Sequence, residues 1–146
     1  MDAEELLGFA VKFHGHLGPF LVLGLRAGLI ARKLIGVPSS VEVRVFPRPP
    51  LSCVIDGVQV SSGCTVGNGK LLVKSTRDRL KVKLVFRSEE GVVDISLLRG
   101  LIESLLSKMP ASEEEMEKDA MNLLGEDEQR LFIIKRGESK KFLLRR

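Results

Sequence analysis

Residues 51–62 read Leu51-Ser52-Cys53-Val54-Ile55-Asp56-Gly57-Val58-Gln59-Val60-Ser61-Ser62, and the fold turns on whether they form a strand or a helix. Their Val and Ile content suits a strand. Their spacing suits a helix, because Leu51, Val54, Ile55 and Val58 fall on one apolar stripe. The opposite face then carries Cys53, Asp56, Gly57 and Val60. Pro50 just ahead and Gly63 just behind fit a helix start and stop, so the segment is read as a helix.

Upstream, Asp2 to Lys12 reads as a first helix: Leu6, Leu7, Ala10 and Val11 recur at helical spacing, and acids fill the first turn. Phe13-His14-Gly15-His16-Leu17-Gly18-Pro19 breaks it. Pro19 opens a second helix that runs to about Ile35, with Gly36 as its stop. This helix is apolar on nearly every side, which marks it as buried. Gly24, Ala27, Gly28 and Ala31 give it a small-residue face for another backbone. A chain of 146 residues has little room to wrap such a helix completely, so a homodimer is expected. Val41 to Phe46 alternates Val41, Val43 and Val45 with Glu42 and Arg44, a half-buried strand that Pro47, Pro49 and Pro50 end.

Downstream, Gly63 to Lys70 is a glycine-rich loop, and Leu71 to Ser75, Leu80 to Arg87 and Val92 to Ile95 read as short strands. Leu97, Leu98, Leu101, Ile102, Leu105 and Leu106 mark an amphipathic helix before Pro110. Ser112 with Glu115 is a capping box opening a helix that Gly125 closes, and Gln129 to Lys135 can form a last strand. The expectation is a single α+β domain over residues 1–136: two N-terminal helices, a mainly antiparallel sheet, then C-terminal helices, with a basic tail at 137–146.

Composition limits the partners. Hydrophobic residues make up 44% and charged residues 29%, enough for a core and too apolar for disorder. A net charge of +4 permits an anionic ligand, but with no Trp or Tyr the stacking platforms of RNA binders are missing, so nucleic acid is not expected. The most apolar stretch, Leu17 to Ile35, carries Arg26, Arg32 and Lys33, and the chain opens acidic where a signal peptide would be basic. A cytoplasmic protein without membrane contact is expected, and two cysteines are too few for a secreted disulfide scaffold. Scarce Asn and Gln beside abundant Lys, Arg and Glu lean towards a thermophile.

Three features can carry chemistry. His14 and His16 are the only histidines, two apart across a glycine that lets the backbone bend. Two such imidazoles can converge on one ion, or simply cap helix ends. Cys53 and Cys64 are the only cysteines; a thiolate is a soft ligand and a nucleophile, while a buried thiol is inert packing. The loop Gly63-Cys64-Thr65-Val66-Gly67-Asn68-Gly69-Lys70 fails the nucleotide-binding pattern G-x-x-x-x-G-K-[ST] at both ends, its glycine amides offering at most an anion nest. Together, two His, two Cys and Asp56 sit at breaks in regular structure, and mixed nitrogen and sulfur donors suit zinc or another late transition metal.

Phe13-His14-Gly15-His16-Leu17-Gly18-Pro19, then Cys53-Val54-Ile55-Asp56-Gly57-Val58-Gln59 and Ser62-Gly63-Cys64-Thr65-Val66-Gly67, resemble the two motifs of the formylmethanofuran dehydrogenase E-subunit family in order and spacing. The resemblance is close from Glu5 to Leu72 and loose beyond. It implies an α+β core, commonly dimeric, with His14, His16, Cys53 and Cys64 as metal ligands, zinc first. Cys53 would be a ligand or a nucleophile, and Asp56 would orient a ligand or shuttle a proton. Some members accompany a molybdenum or tungsten enzyme that reduces carbon dioxide to a formyl group on methanofuran, so a methanogenesis-related role is implied. The function expected is a metal-dependent protein acting on a small molecule, or a non-catalytic accessory subunit or assembly factor of such an oxidoreductase complex. The chain departs from the motifs at Gly18, where the family has cysteine, in the order Gly67-Asn68-Gly69-Lys70, and in having no cysteine after Cys64 for a zinc ribbon.

Overall fold

The computed structural model describes residues 2–138; of the basic tail expected at 137–146, residues 139–146 lie outside the described residues. The chain is an α+β domain of five α-helices and one five-stranded sheet among those residues. Helix α1 spans Ala3–His14, α2 Pro19–Ile35, α3 Cys53–Ser62, α4 Arg99–Ser107 and α5 Glu113–Leu124. Strands are β1 Ser40–Val45, β2 Leu71–Ser75, β3 Lys83–Ser88, β4 Gly91–Leu97 and β5 Phe132–Gly137. The sheet order is β2-β1-β3-β4-β5, with β1 and β2 parallel across the α3 crossover and the other neighbours antiparallel.

Local chemistry sets the ends of these elements. Asp2 caps α1 by accepting from the Glu5 amide at 2.8 Å, and Ser112 caps α5 by accepting from the Glu115 amide at 3.1 Å. β3 begins three residues later than the pattern of Leu80 to Arg87 predicts. The Asp78 carboxylate and carbonyl accept from the Leu80 and Lys81 amides and hold that stretch in a turn. Likewise β5 starts at Phe132, because Glu128–Arg130 coil into a short 3-10 turn first.

The core lies between the sheet and α2. Val41 and Val43 of β1 align with Phe86 and Leu84 of β3, which align with Val93 and Ile95 of β4, and these six are buried, as is Val45 at the end of β1. The other face of the strands carries ion pairs, Lys74 to Glu42 at 3.1 Å and Lys83 to Asp94 at 3.0 Å. Helix α2 is buried along almost its whole length, packed by α1, α3, α5 and the sheet of its own chain. Its all-round apolarity therefore does not call for a second subunit. The closest seam is between α2 and α3. A Cβ at Gly24 would run into the Val54 carbonyl, and one at Gly57 into the Leu21 carbonyl. No helix among the described residues is long and apolar enough to cross a membrane.

Candidate metal centre

The two histidines mark the bend between the first helices. His14 is the last residue of α1, and Gly15 turns the chain at φ 107°, a conformation natural to glycine, before Pro19 opens α2. Cys53 is the first residue of α3, and the α2–α3 seam brings it beside that bend. One donor atom each from His14, His16 and Cys53 lies within 4.8 Å of the other two. The imidazole rings stand 4.7 Å apart, tilted by 57°. Cys53 is buried, the His14 side chain is 12% exposed, and His16 faces solvent.

His14 is held in one orientation. Its Nδ1–H donates to Asp56 Oδ2 at 2.6 Å, and the other carboxylate oxygen accepts from Gln59 Nε2 at 3.3 Å. Gln59 Oε1 accepts from the Val66 amide at 3.0 Å, tying α3 to the glycine loop. Fixing the proton on Nδ1 leaves the Nε2 lone pair free, and that atom is buried with no hydrogen-bond partner among the described residues. Leaving a buried imidazole nitrogen unpaired costs free energy unless something occupies it. A carboxylate behind one ring nitrogen and an open lone pair on the other is how protein histidines present themselves to metals. The residues fit a transition-metal ion.

Burial, and then the neighbouring Asp56 carboxylate, push the Cys53 thiol up to about 11. The metal-free side chain is thus a thiol near neutrality, although it sits at a helix N-terminus that favours thiolate. A bound cation is what would ionise it.

The four ligands expected from sequence do not all meet. Cys64 is not part of the group: it is fully buried, with Sγ donating to the Pro38 carbonyl at 3.4 Å. Cys53 and Cys64 sit at opposite ends of the ten-residue α3, a helix about 15 Å long at 1.5 Å per residue. Both thiols are free, so no disulfide joins them. The glycine loop is a self-contained turn. Asn68 Oδ1 accepts from the Thr65 and Lys70 amides, Thr65 Oγ1 from the Asn68 amide, and Val66 O from the Gly69 amide. With those donors committed internally, an anion nest has little left to offer.

Sequence reasoning missed three residues around the site. Gln59 follows Asp56 by one helical turn, a spacing that could have marked it as the carboxylate's partner. Met109, just beyond α4, and Met116, in the first turn of α5, line a cavity of about 20 Å³ with His16, Gly18, Pro50 and Cys53, and nothing in their local sequence announces it.

The comparisons with known proteins agree with this reading of the fold. Residues 13–140 match the family model described as FmdE, molybdenum formylmethanofuran dehydrogenase operon. The crystal structure of a tungsten formylmethanofuran dehydrogenase FmdE-like protein from Syntrophus aciditrophicus superposes with a TM-score of 0.58 at 19% identity, over 99% of this chain and 76% of that one. A curated protein of Archaeoglobus fulgidus, described as a probable S-adenosyl-L-methionine-binding protein, is 40% identical over 73 residues, 47% of this chain. The chain spans 20% of the length of that relative. With both histidines, Cys53 and Asp56 inside the matched span of residues 13–140, the chain belongs to the FmdE family.

Proposed function

We propose that the chain is a transition-metal protein whose centre is held by His14, His16 and Cys53, and that this centre handles a small molecule. The observation that carries the reading is the buried, unpartnered Nε2 of His14, whose Nδ1 is clamped by Asp56. Zinc is the ion that imidazole and thiolate donors most commonly serve. When bound, the ion would supply a Lewis-acidic position for water or a substrate oxygen. Asp56 keeps the proton on Nδ1, and Gln59 keeps Asp56 in place. The Asp56 side chain, 33% exposed, can also pass protons between the site and solvent. In this reading Cys53 is a ligand rather than a free nucleophile, and Cys64 serves packing against Pro38.

A second reading, an accessory subunit in a larger oxidoreductase complex of the formylmethanofuran dehydrogenase type, is favoured by a surface feature. Phe9 and Phe13 stand 57% and 61% exposed one turn apart on α1, ending beside His14. They offer an apolar contact for a partner or for a second copy in a homodimer. A cytoplasmic location accompanies both readings.

Elemental analysis of untagged protein, as purified and after reconstitution, tests the centre. About one equivalent of ion per chain is expected in the wild type, with loss in His14→Ala and Cys53→Ser. Retention of the ion by both variants, or none in the wild type, overturns the reading.

A further inference from the structure

The first turn of α2 has no side-chain cap. Its N-cap residue is Gly18, and Pro19 after it carries no amide hydrogen. The Val22 amide donates to the Gly18 carbonyl at 3.3 Å, but the Phe20 and Leu21 amides have no acceptor among the described residues. Both residues are buried, at 1% and 0% exposed. Buried amides without an acceptor cost free energy, so an acceptor belongs there. Conformation does not demand glycine at this cap, because φ −144° and ψ 165° are extended backbone that any residue adopts. Ser or Asp, the usual caps, would have met the need from within the chain.

These amides open beside the candidate centre. Gly18, Pro19, Phe20 and Leu21 all border the cavity of about 20 Å³ that His16 and Cys53 also border. At 3.6 residues per turn successive side chains point about 100° apart, so four residues in a row meet in a space about one water wide through their main chain. Cys53 is an independent sign of a ligand. It is 8% exposed, borders the same cavity, and its Sγ has no hydrogen-bond partner outside its own residue among the described residues.

Resting on the reading of His14, His16 and Cys53 as a zinc centre with an open position, we propose that the small molecule it handles is a carboxylate, one of whose oxygens is received by the Phe20 and Leu21 amides. A helix N-terminus favours negative charge, and a cation beside it favours the same. No Lys or Arg borders the cavity, so recognition falls to the main chain. The space admits about one oxygen-sized group, which suits the flat end of a carboxylate better than a tetrahedral phosphate. One oxygen enters and the other is left for the centre. Met109 and Met116, half-buried and unbranched, are the wall that yields to the rest of the molecule.

The test is an NMR titration of zinc-loaded, isotope-labelled, full-length protein with acetate, read at the Phe20 and Leu21 amides, in wild type, Gly18→Ser and Gly18→Ala. Ser at the N-cap gives those amides an acceptor of the chain's own. Ala brings the same Cβ, 3.3 Å from Cε1 of the exposed His16, without the oxygen. Wild type is expected to show saturable shifts at the two amides. Gly18→Ser is expected to weaken acetate roughly tenfold, the factor by which a cap of ordinary strength competes, and Gly18→Ala to stay within about twofold of wild type, with zinc retained in both. Amides that do not move in zinc-loaded wild type overturn the carboxylate subsite and leave the centre standing. Equal losses in Gly18→Ala and Gly18→Ser trace the effect to His16 and overturn the role of the amides. A wild type that takes up no zinc overturns the centre, and the proposal with it.

Discussion

Replacing Asp56 separates an orienting role from a merely structural one. In the metal-free protein the His14–Asp56 contact is 2.6 Å long but the carboxylate is 33% exposed, so solvent screens it. Its removal should cost under about 1 kcal/mol of folding stability, the range of partly exposed pairs. The metal-bound state depends on it more. Without the carboxylate, His14 is free to rotate and to place its proton on Nε2, the atom proposed to ligate. Outer partners of ligating histidines are worth roughly ten- to hundredfold in affinity, or about 1.4–2.7 kcal/mol. Asp56→Ala should therefore weaken Zn(II) and Co(II) binding by that factor while the urea midpoint of metal-free protein barely moves. Asp56→Asn keeps an acceptor for Nδ1–H and should fall between. Competition titration with a chromophoric chelator gives the affinities. If Asp56→Ala leaves them within twofold of wild type yet unfolds the metal-free protein early, the contact is a structural pair and the orienting argument is wrong.

Three further outcomes follow from the same geometry. Gly24→Ala should lose about 1–2 kcal/mol in urea unfolding, since the obstructing atom is the backbone Val54 carbonyl, which cannot rotate away, and overpacking in the upper part of its usual range of roughly 1–3 kcal/mol exceeds a helix-propensity gain near 1; a neutral or stabilising effect would show that the seam is looser than described. Cys64→Ala should leave metal stoichiometry untouched, whereas Cys53→Ala should abolish it, and a loss of metal in both would return Cys64 to the ligand set. In metal-free Cys64→Ala protein, alkylation of Cys53 at pH 8 should run about a hundredfold slower than in urea, because its thiol is raised from 9.0 to about 11. The sign for stability is the same: the contribution is fully present below pH 9 and is lost as pH rises from 9 through 11, so a rate that levels off by pH 9 would contradict the buried thiol.

Much of this was readable in the sequence, for reasons that differ by element. The stretch between Pro50 and Gly63 does form a helix from Cys53 on, with Leu51 in the turn ahead of it, because the spacing of Val54, Ile55 and Val58 outweighs the strand preference of Val and Ile once a face is buried. The N-cap at Ser112 and the stop at Gly36 were legible because they are local chemistry. The grouping of possible donors was legible only in part. The helix reading of residues 51–62 already carried the information that sets Cys64 apart from Cys53, since a helix laid between two cysteines holds them a helix-length apart. Motif proximity concealed that distance. The homodimer expected from α2 rested on too little wrapping surface, yet α5, distant in the chain, covers one side of it. The two methionines were illegible for a like reason: tertiary packing, not local pattern, carries them to Cys53.

The glycine-lined seam between α2 and α3 has a consequence for how the protein can drift over generations. Where backbone meets backbone there is no rotamer to yield, so the gap between the His14–His16 bend and the Cys53 sulfur is set by the hard radii of peptide atoms. Mutational freedom is therefore unevenly distributed: wider on the ion-paired face of the strands, and close to none at Gly24 and Gly57.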